Sequence, residues 1–126
     1  MEKVSFKQMK DGTKEDYELL GRYEERFVKD LPDRLLEMLK GLDSSLDGYQ
    51  ISRLEHSLQS ATRAERDGAD EEMIVATLLH DIGDSLAPHN HSQLVAAIIR
   101  PYVSDKTHWI IKPVSYTHLT LPTIDP

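Results

Sequence analysis

One segment limits the fold more than any other. After Asp70 the chain reads Glu71-Glu72-Met73-Ile74-Val75-Ala76-Thr77-Leu78-Leu79-His80-Asp81-Ile82-Gly83. Asp70 is a good helix cap, and the two glutamates sit where the helix dipole favours acids. Met73, Ile74, Val75, Ala76, Leu78 and Leu79 then cover most of the helix circumference. A helix that is apolar nearly all round belongs at the centre of a bundle, so this one is expected to be the most buried element. It ends on an adjacent His and Asp in apolar surroundings, with Gly83 as terminator. A buried carboxylate without partners is very costly. Asp81 must therefore meet a cation or several hydrogen-bond donors. His80 and Asp81 branch from neighbouring backbone positions and can offer a nitrogen and an oxygen to one metal ion. A third ligand from another helix would close the site.

The rest of the pattern is helical too. Thr13 and Asp16 have the spacing of a capping box, and Leu20, Tyr23, Phe27 and Leu31 give the first helix an apolar stripe. Pro32, after Asp30 as cap, opens a second helix with Leu35, Leu36, Leu39 and Leu42 facing inward. Asp43 to Gly48 is rich in turn formers. The third helix is expected over about 49–67, with Ile51, Leu54, Leu58 and Ala61 as its stripe. His56 falls opposite that stripe, with Tyr49, Ser60 and Arg63. A loop over 84–90 precedes a fifth helix carrying Leu94, Val95, Ala97, Ile98 and Ile99, which stops before Pro101. A short sixth begins near Ser104 and holds Trp109, Ile110 and Ile111. No strand-like alternation occurs before Pro113, so the fold class is all-α. Residues 113–126 change to a Thr- and Pro-rich text. They resemble a tail that recurs on unrelated sequences, and are expected to be non-native and poorly ordered.

Composition narrows the function. The 126 residues make one domain. The absence of cysteine rules out thiolate ligation and leaves His, Asp, Glu and water to hold any ion. That palette suits Fe, Mn, Mg, Co or a catalytic Zn. A net charge of -7 argues against nucleic acid as partner. No apolar run is long enough for a membrane span, and no signal peptide is read at the N-terminus. A cytoplasmic protein is expected.

The stretches Glu55-His56-Ser57-Leu58-Gln59, Gly68-Ala69-Asp70 and Leu78-Leu79-His80-Asp81-Ile82-Gly83 resemble the HD-domain superfamily in residue type and spacing. The nearest branch holds predicted HD phosphohydrolases and a mixed-valent diiron organophosphonate oxygenase. The resemblance implies an HD-domain helical bundle over 1–112, with a helical N-terminal extension at 1–45 and an HD core at 46–112. It implies His56, His80 and Asp81 as ligands of a first metal. Asp81 would bridge to a second, held also by His91 at the start of the fifth helix. One or two divalent ions are expected, drawn from Fe, Mn, Co or Mg. His89 is read as a solvated loop residue, His108 as an ordinary polar residue, and His118 is given no role.

The activity implied is metal-dependent phosphohydrolysis of a small phosphorylated molecule by a metal-activated water. Asp81 would be the catalytic carboxylate, and Arg63, two turns from His56 on the same face, would neutralise substrate phosphate. The alternatives are a diiron oxygenase acting on a small organic or phosphonate substrate, and a catalytically inactive helical metal-binding or interaction fragment. Three departures from the family pattern stand out. The family's next His would fall just after Lys112, and its late Asp beyond the last residue. On that reading this is an interrupted copy, expected to bind metal weakly, to be inactive, and to expose an apolar patch near Leu94, Ile98 and Trp109. Asp84 stands where many HD hydrolases carry Lys or His, which weakens a simple phosphomonoesterase reading. Leu46 and Tyr49 stand where the phosphonate oxygenase uses Tyr and Glu, so that particular substrate is not supported.

Overall fold

A computed structural model describes residues 1–44 and 47–112. Leu46 and the tail from Pro113 to Pro126, including His118, lie outside the described residues. Among those described, six α-helices and three 3-10 turns form the fold and no strand occurs, in line with the all-α expectation. The chain divides into two compact units, Met1–Leu36 and Glu37–Pro126.

The first unit is built on α1 (Lys14–Lys29). Thr13 and Asp16 complete the capping box expected from their spacing. The Asp16 carboxylate also accepts from the Ser5 backbone N–H at 2.9 Å and the Ser5 hydroxyl at 2.7 Å, so it ties the N-terminal segment to the helix. Hydrogen bonds from the Thr13 backbone, and then from Ser5, lower its pKa to about 2. No residue of the anticipated apolar stripe is fully buried: Leu20, Tyr23 and Leu31 are half-buried and Phe27 is 63% exposed, while the buried leucine of α1 is Leu19. The next helix, α2 (Leu31–Gly41), contains the boundary between the units.

The second unit holds the site. After Leu39 and Leu42, both buried, come α3 (Arg53–Arg66) and α4 (Glu71–Leu79). Both are capped by side chains that accept from the third residue on: Ser52 from the Glu55 N–H, and Asp70 from the Met73 N–H. The third helix therefore starts later than about 49. α5 (His91–Ile99) and α6 (Asp105–Ile111) follow. Helix α3 packs along α4, and α6 packs on both α4 and α5. The Glu72 carboxylate links α4 to α6 by accepting from the Ser104 N–H and hydroxyl, each at 2.8 Å.

Two expectations about packing need correction. The face of α3 turned inward is not the Ile51, Leu54, Leu58, Ala61 stripe. Ser57 and Ser60 are buried, whereas Leu58 is 48% exposed. Small residues at the centre of a helix–helix contact let the backbones approach closely, and the serine hydroxyl is satisfied within its own helix: Ser57 donates to the Arg53 carbonyl at 2.9 Å. Nor is α4 the most buried helix. Val75 on α4 is 45% exposed, while α5 buries Ser92, Val95, Ala96 and Ile99. The uninterrupted buried run is Leu79 to Gly83, in the tight turns just past α4. Of the anticipated apolar patch, Trp109 is 76% exposed, and Leu94 and Ile98 are half-buried.

These packing faces predict a reversal of the usual hydrophobic rule. Ser57→Leu overfills a fully buried position and should cost about 1–3 kcal/mol. Leu58→Gln removes an exposed leucine and should change stability by less than about 0.5 kcal/mol. Urea unfolding of the two variants checks the order; a larger loss for Leu58→Gln would place the contact face elsewhere.

Candidate metal centre

The buried run past α4 presents the site. His80 caps the C-terminus of α4, with its N–H bonded to the Thr77 carbonyl. Its ring Nδ1 lies 2.5 Å from the same carbonyl. A carbonyl only accepts, so Nδ1 carries a proton and Nε2 is the ring nitrogen left to face inward. That Nε2 is 3.2 Å from Asp81 Oδ2. His56, one turn into α3, brings its Nε2 to 3.6 Å from the same oxygen. The two imidazoles meet edge to face with centroids 5.6 Å apart. One donor atom each from His56, His80 and Asp81 lies within 4.8 Å of the others. Two imidazole nitrogens and a carboxylate oxygen converging at this spacing fit a divalent ion of borderline softness.

The other carboxylate oxygen faces a different neighbour. His91 opens α5, and its Nε2 is 3.1 Å from Asp81 Oδ1. His89 is exposed in the preceding loop. Oδ1 is buried yet accepts no well-aligned hydrogen bond among the described residues. Gly83 lies close to α5: a Cβ there would stand 2.8 Å from Leu94 Cδ2, the end of a side chain that can turn aside, and 3.4 Å from the His91 carbonyl.

Asp81 has no exposed side-chain surface. Burial pushes its pKa up, but His80, His91 and Arg53 outweigh it, and the carboxyl lies well below its ordinary range. The His91 imidazole is raised, chiefly by Asp81, against the opposing effect of burial, with Asp84 adding to the rise.

Two charged groups at the centre carry no role in the sequence reading. Arg53 Nη2 donates to Asp81 Oδ2 at 2.7 Å, and Arg53 Nε is 3.7 Å from Asp84 Oδ2. Asp84 Oδ1 is also 3.6 Å from His91 Nδ1. The signal for Arg53 was present: it precedes His56 by one helical turn, the spacing at which side chains are neighbours. Arg63, nominated on the same face, is exposed and lines a shallow groove with Leu58, Gln59, Thr62 and Arg66. The guanidinium that reaches Asp81 belongs to Arg53. Tyr49 is 61% exposed, with Arg53 5.5 Å from its ring centroid. His108 is half-buried on α6.

With this geometry in view, the comparisons are informative. The HD-domain family model matches residues 53–119, more than half of the chain, and the chain belongs to that family. HD domains bind divalent metals and comprise metal-dependent hydrolases and oxygenases. A curated relative is the 1-hydroxy-2-(trimethylamino)ethylphosphonate dioxygenase (glycine-betaine-forming) of Leisingera caerulea. It is 51% identical over 41 residues, which is 32% of this chain and 21% of that protein. The match thus spans about a fifth of the relative's length. No described helix is long and apolar enough to cross a membrane.

The ionic contacts predict a pH dependence of folding in chelator-treated protein. The raised His91 contributes stability that is full below its ordinary pKa of 6.5 and is lost as pH rises through its higher folded value. The lowered Asp81 acts at the other end: its contribution is present above 3.8 and is lost as pH falls through its folded value. The urea midpoint should therefore drop as pH rises from about 6 to about 8, and His91→Gln should flatten that slope. An unchanged slope in the variant would show that His91 is not coupled to Asp81.

Proposed function

We propose that this chain carries the dinuclear His/carboxylate centre of an HD-type oxygenase acting on a small phosphonate-bearing molecule. The observation behind the dinuclear reading is the division of Asp81. Its Oδ2 faces His56 and His80, and its Oδ1 faces His91. A carboxylate placed this way can bridge two ions about 3.5–4 Å apart. His56, His80 and Asp81 would hold the first ion, and Asp81 with His91 the second. The substrate class rests on the named activity of the phosphonate dioxygenase relative.

Bound iron would supply the oxygen chemistry. The chain's own residues would set its conditions. The Thr77 carbonyl fixes the His80 tautomer so that Nε2 is the ligating atom. Burial of Asp81 and His80 keeps bulk water from their ligating atoms. His91 enters from a separate helix and orients the second position.

Phosphate-ester hydrolysis is the second reading, and one observation favours it. One donor atom each from His56, His80 and Asp81 converges at one place, and an ion held there would acidify a water for attack on a phosphate ester. Asp84, an acid 3.7 Å from the Arg53 guanidinium, weighs the other way. It offsets positive charge that a phosphomonoester would need.

Oxygen uptake separates the two. The iron-loaded chain should consume oxygen when given the relative's phosphonate. Phosphate release from simple phosphate esters with Mn or Mg, and no oxygen uptake with iron, would replace the oxygenase by the hydrolase. In metal analysis after saturation and desalting, His91→Ala should lower the content from about two ions per chain to about one. Asp81→Asn should lose both. Wild-type metal content in His91→Ala would leave a mononuclear site.

A further inference from the structure

Arg53 is oddly placed for a residue beside a metal centre. Its Nη2 sits 2.7 Å from Asp81 Oδ2, the same oxygen that faces His56 and His80. A divalent ion at those ligands and the guanidinium would share one carboxylate oxygen. Each cation weakens the hold of the other, because like charges at this range repel strongly away from bulk water. The Arg53 side chain is 17% exposed and Asp81 is fully buried, so solvent screens the pair little. Arg53 has a second anion within reach. Its Nε stands 3.7 Å from Asp84 Oδ2, and Asp84 is itself only 14% exposed. The Tyr49 ring lies 5.5 Å from its guanidinium carbon. The guanidinium is thus held between two carboxylates, one a ligand candidate and one not.

We propose that Arg53 is an internal cation that competes with the metal for Asp81 and so sets how tightly the ion is held, with Asp84 as the carboxylate that draws Arg53 aside. The inference rests on the reading of His56, His80 and Asp81 as metal ligands. Its physical content is a pair of opposite signs. Removing the guanidinium leaves Asp81 to the ion alone and tightens binding. Removing the charge of Asp84 leaves Arg53 to Asp81 alone and loosens it. An arginine that merely braced a ligated carboxylate would give the reverse for its own removal, since outer-shell donors strengthen a metal site.

The test is Mn2+ affinity of the full chain, measured by calorimetry, for wild type, Arg53→Gln and Asp84→Asn, with circular dichroism to verify the helical fold. Arg53→Gln should bind Mn2+ about tenfold more tightly, and Asp84→Asn about tenfold more weakly, the scale of outer-shell effects. A disruptive substitution loosens a site, so a gain in affinity is not something damage produces. Thermal unfolding gives an independent readout: the stabilisation added by Mn2+ should be larger in Arg53→Gln than in wild type. If Arg53→Gln does not fold, Arg53→Met, which keeps the packing of the stem, is measured in its place. Weaker or unchanged Mn2+ binding in the arginine variant overturns the proposal while leaving the metal site intact. Absence of Mn2+ binding by wild type overturns the metal reading and this proposal with it.

Discussion

A fully buried, ionised carboxylate cannot stand alone in a protein interior. Its removal from water carries an effective penalty of several kcal/mol even after relaxation. Asp81 is such a group, and the second compact unit is arranged around it. The charged and polar side chains that reach it, among the described residues, come from three stretches of chain: Arg53 and His56 from α3, His80 from the end of α4, and His91 from the start of α5. The same convergence that compensates Asp81 brings three imidazoles to its two oxygens. Stability and metal chemistry therefore draw on one set of side chains. A substitution made to probe one will also move the other.

Presentation of these groups depends on how closely the helices approach. Ser57 has no exposed surface, so a small side chain fills the inward face of α3 beside His56, and a leucine there would overfill it. Gly83 has the corresponding role for α5, where any side chain would meet Leu94 and the His91 carbonyl. The residues that build the centre without touching it are thus the smallest ones. Close packing transmits small changes in volume, so the distances at Asp81 are sensitive to them.

The parts of the structure that were legible in the sequence are those fixed by local hydrogen bonds. The Thr13–Asp16 box and the Asp70 cap follow from side chains that reach three residues along the chain, and both are present. The His80-Asp81 pair also reads locally, because two polar residues in an apolar run need a reason. The inward face of α3 does not read this way. Hydrophobicity alone selects Leu54 and Leu58, but a tight helix–helix contact selects Ser57 and Ser60, and only the packed structure shows which demand prevails. Arg53 is not singled out by sequence either, because the carboxylate it meets lies 28 residues along the chain. On the observed face, Arg53 stands one turn before His56 and meets Asp81 directly.

The two proposed ion positions have unequal support, and the difference lies in the elements that carry them. At the Oδ2 side, His80 is 3% exposed, its ring is fixed through Thr77, and α3 and α4 pack along their length. At the Oδ1 side, the ligand candidate His91 stands in the first turn of α5, after a loop whose residues Ser85, Leu86, Pro88, His89 and Asn90 are exposed. Its N-cap, Asn90, makes no side-chain capping bond. Helix first turns fray unless capped, so His91 owes its position to Gly83, Asp84 and Asp81 more than to its own helix. On the proposed dinuclear reading, an ion at the Oδ2 side would meet donors fixed by packing but would have to displace Arg53 from the shared oxygen, while one at the Oδ1 side would have to hold its own ligand in place.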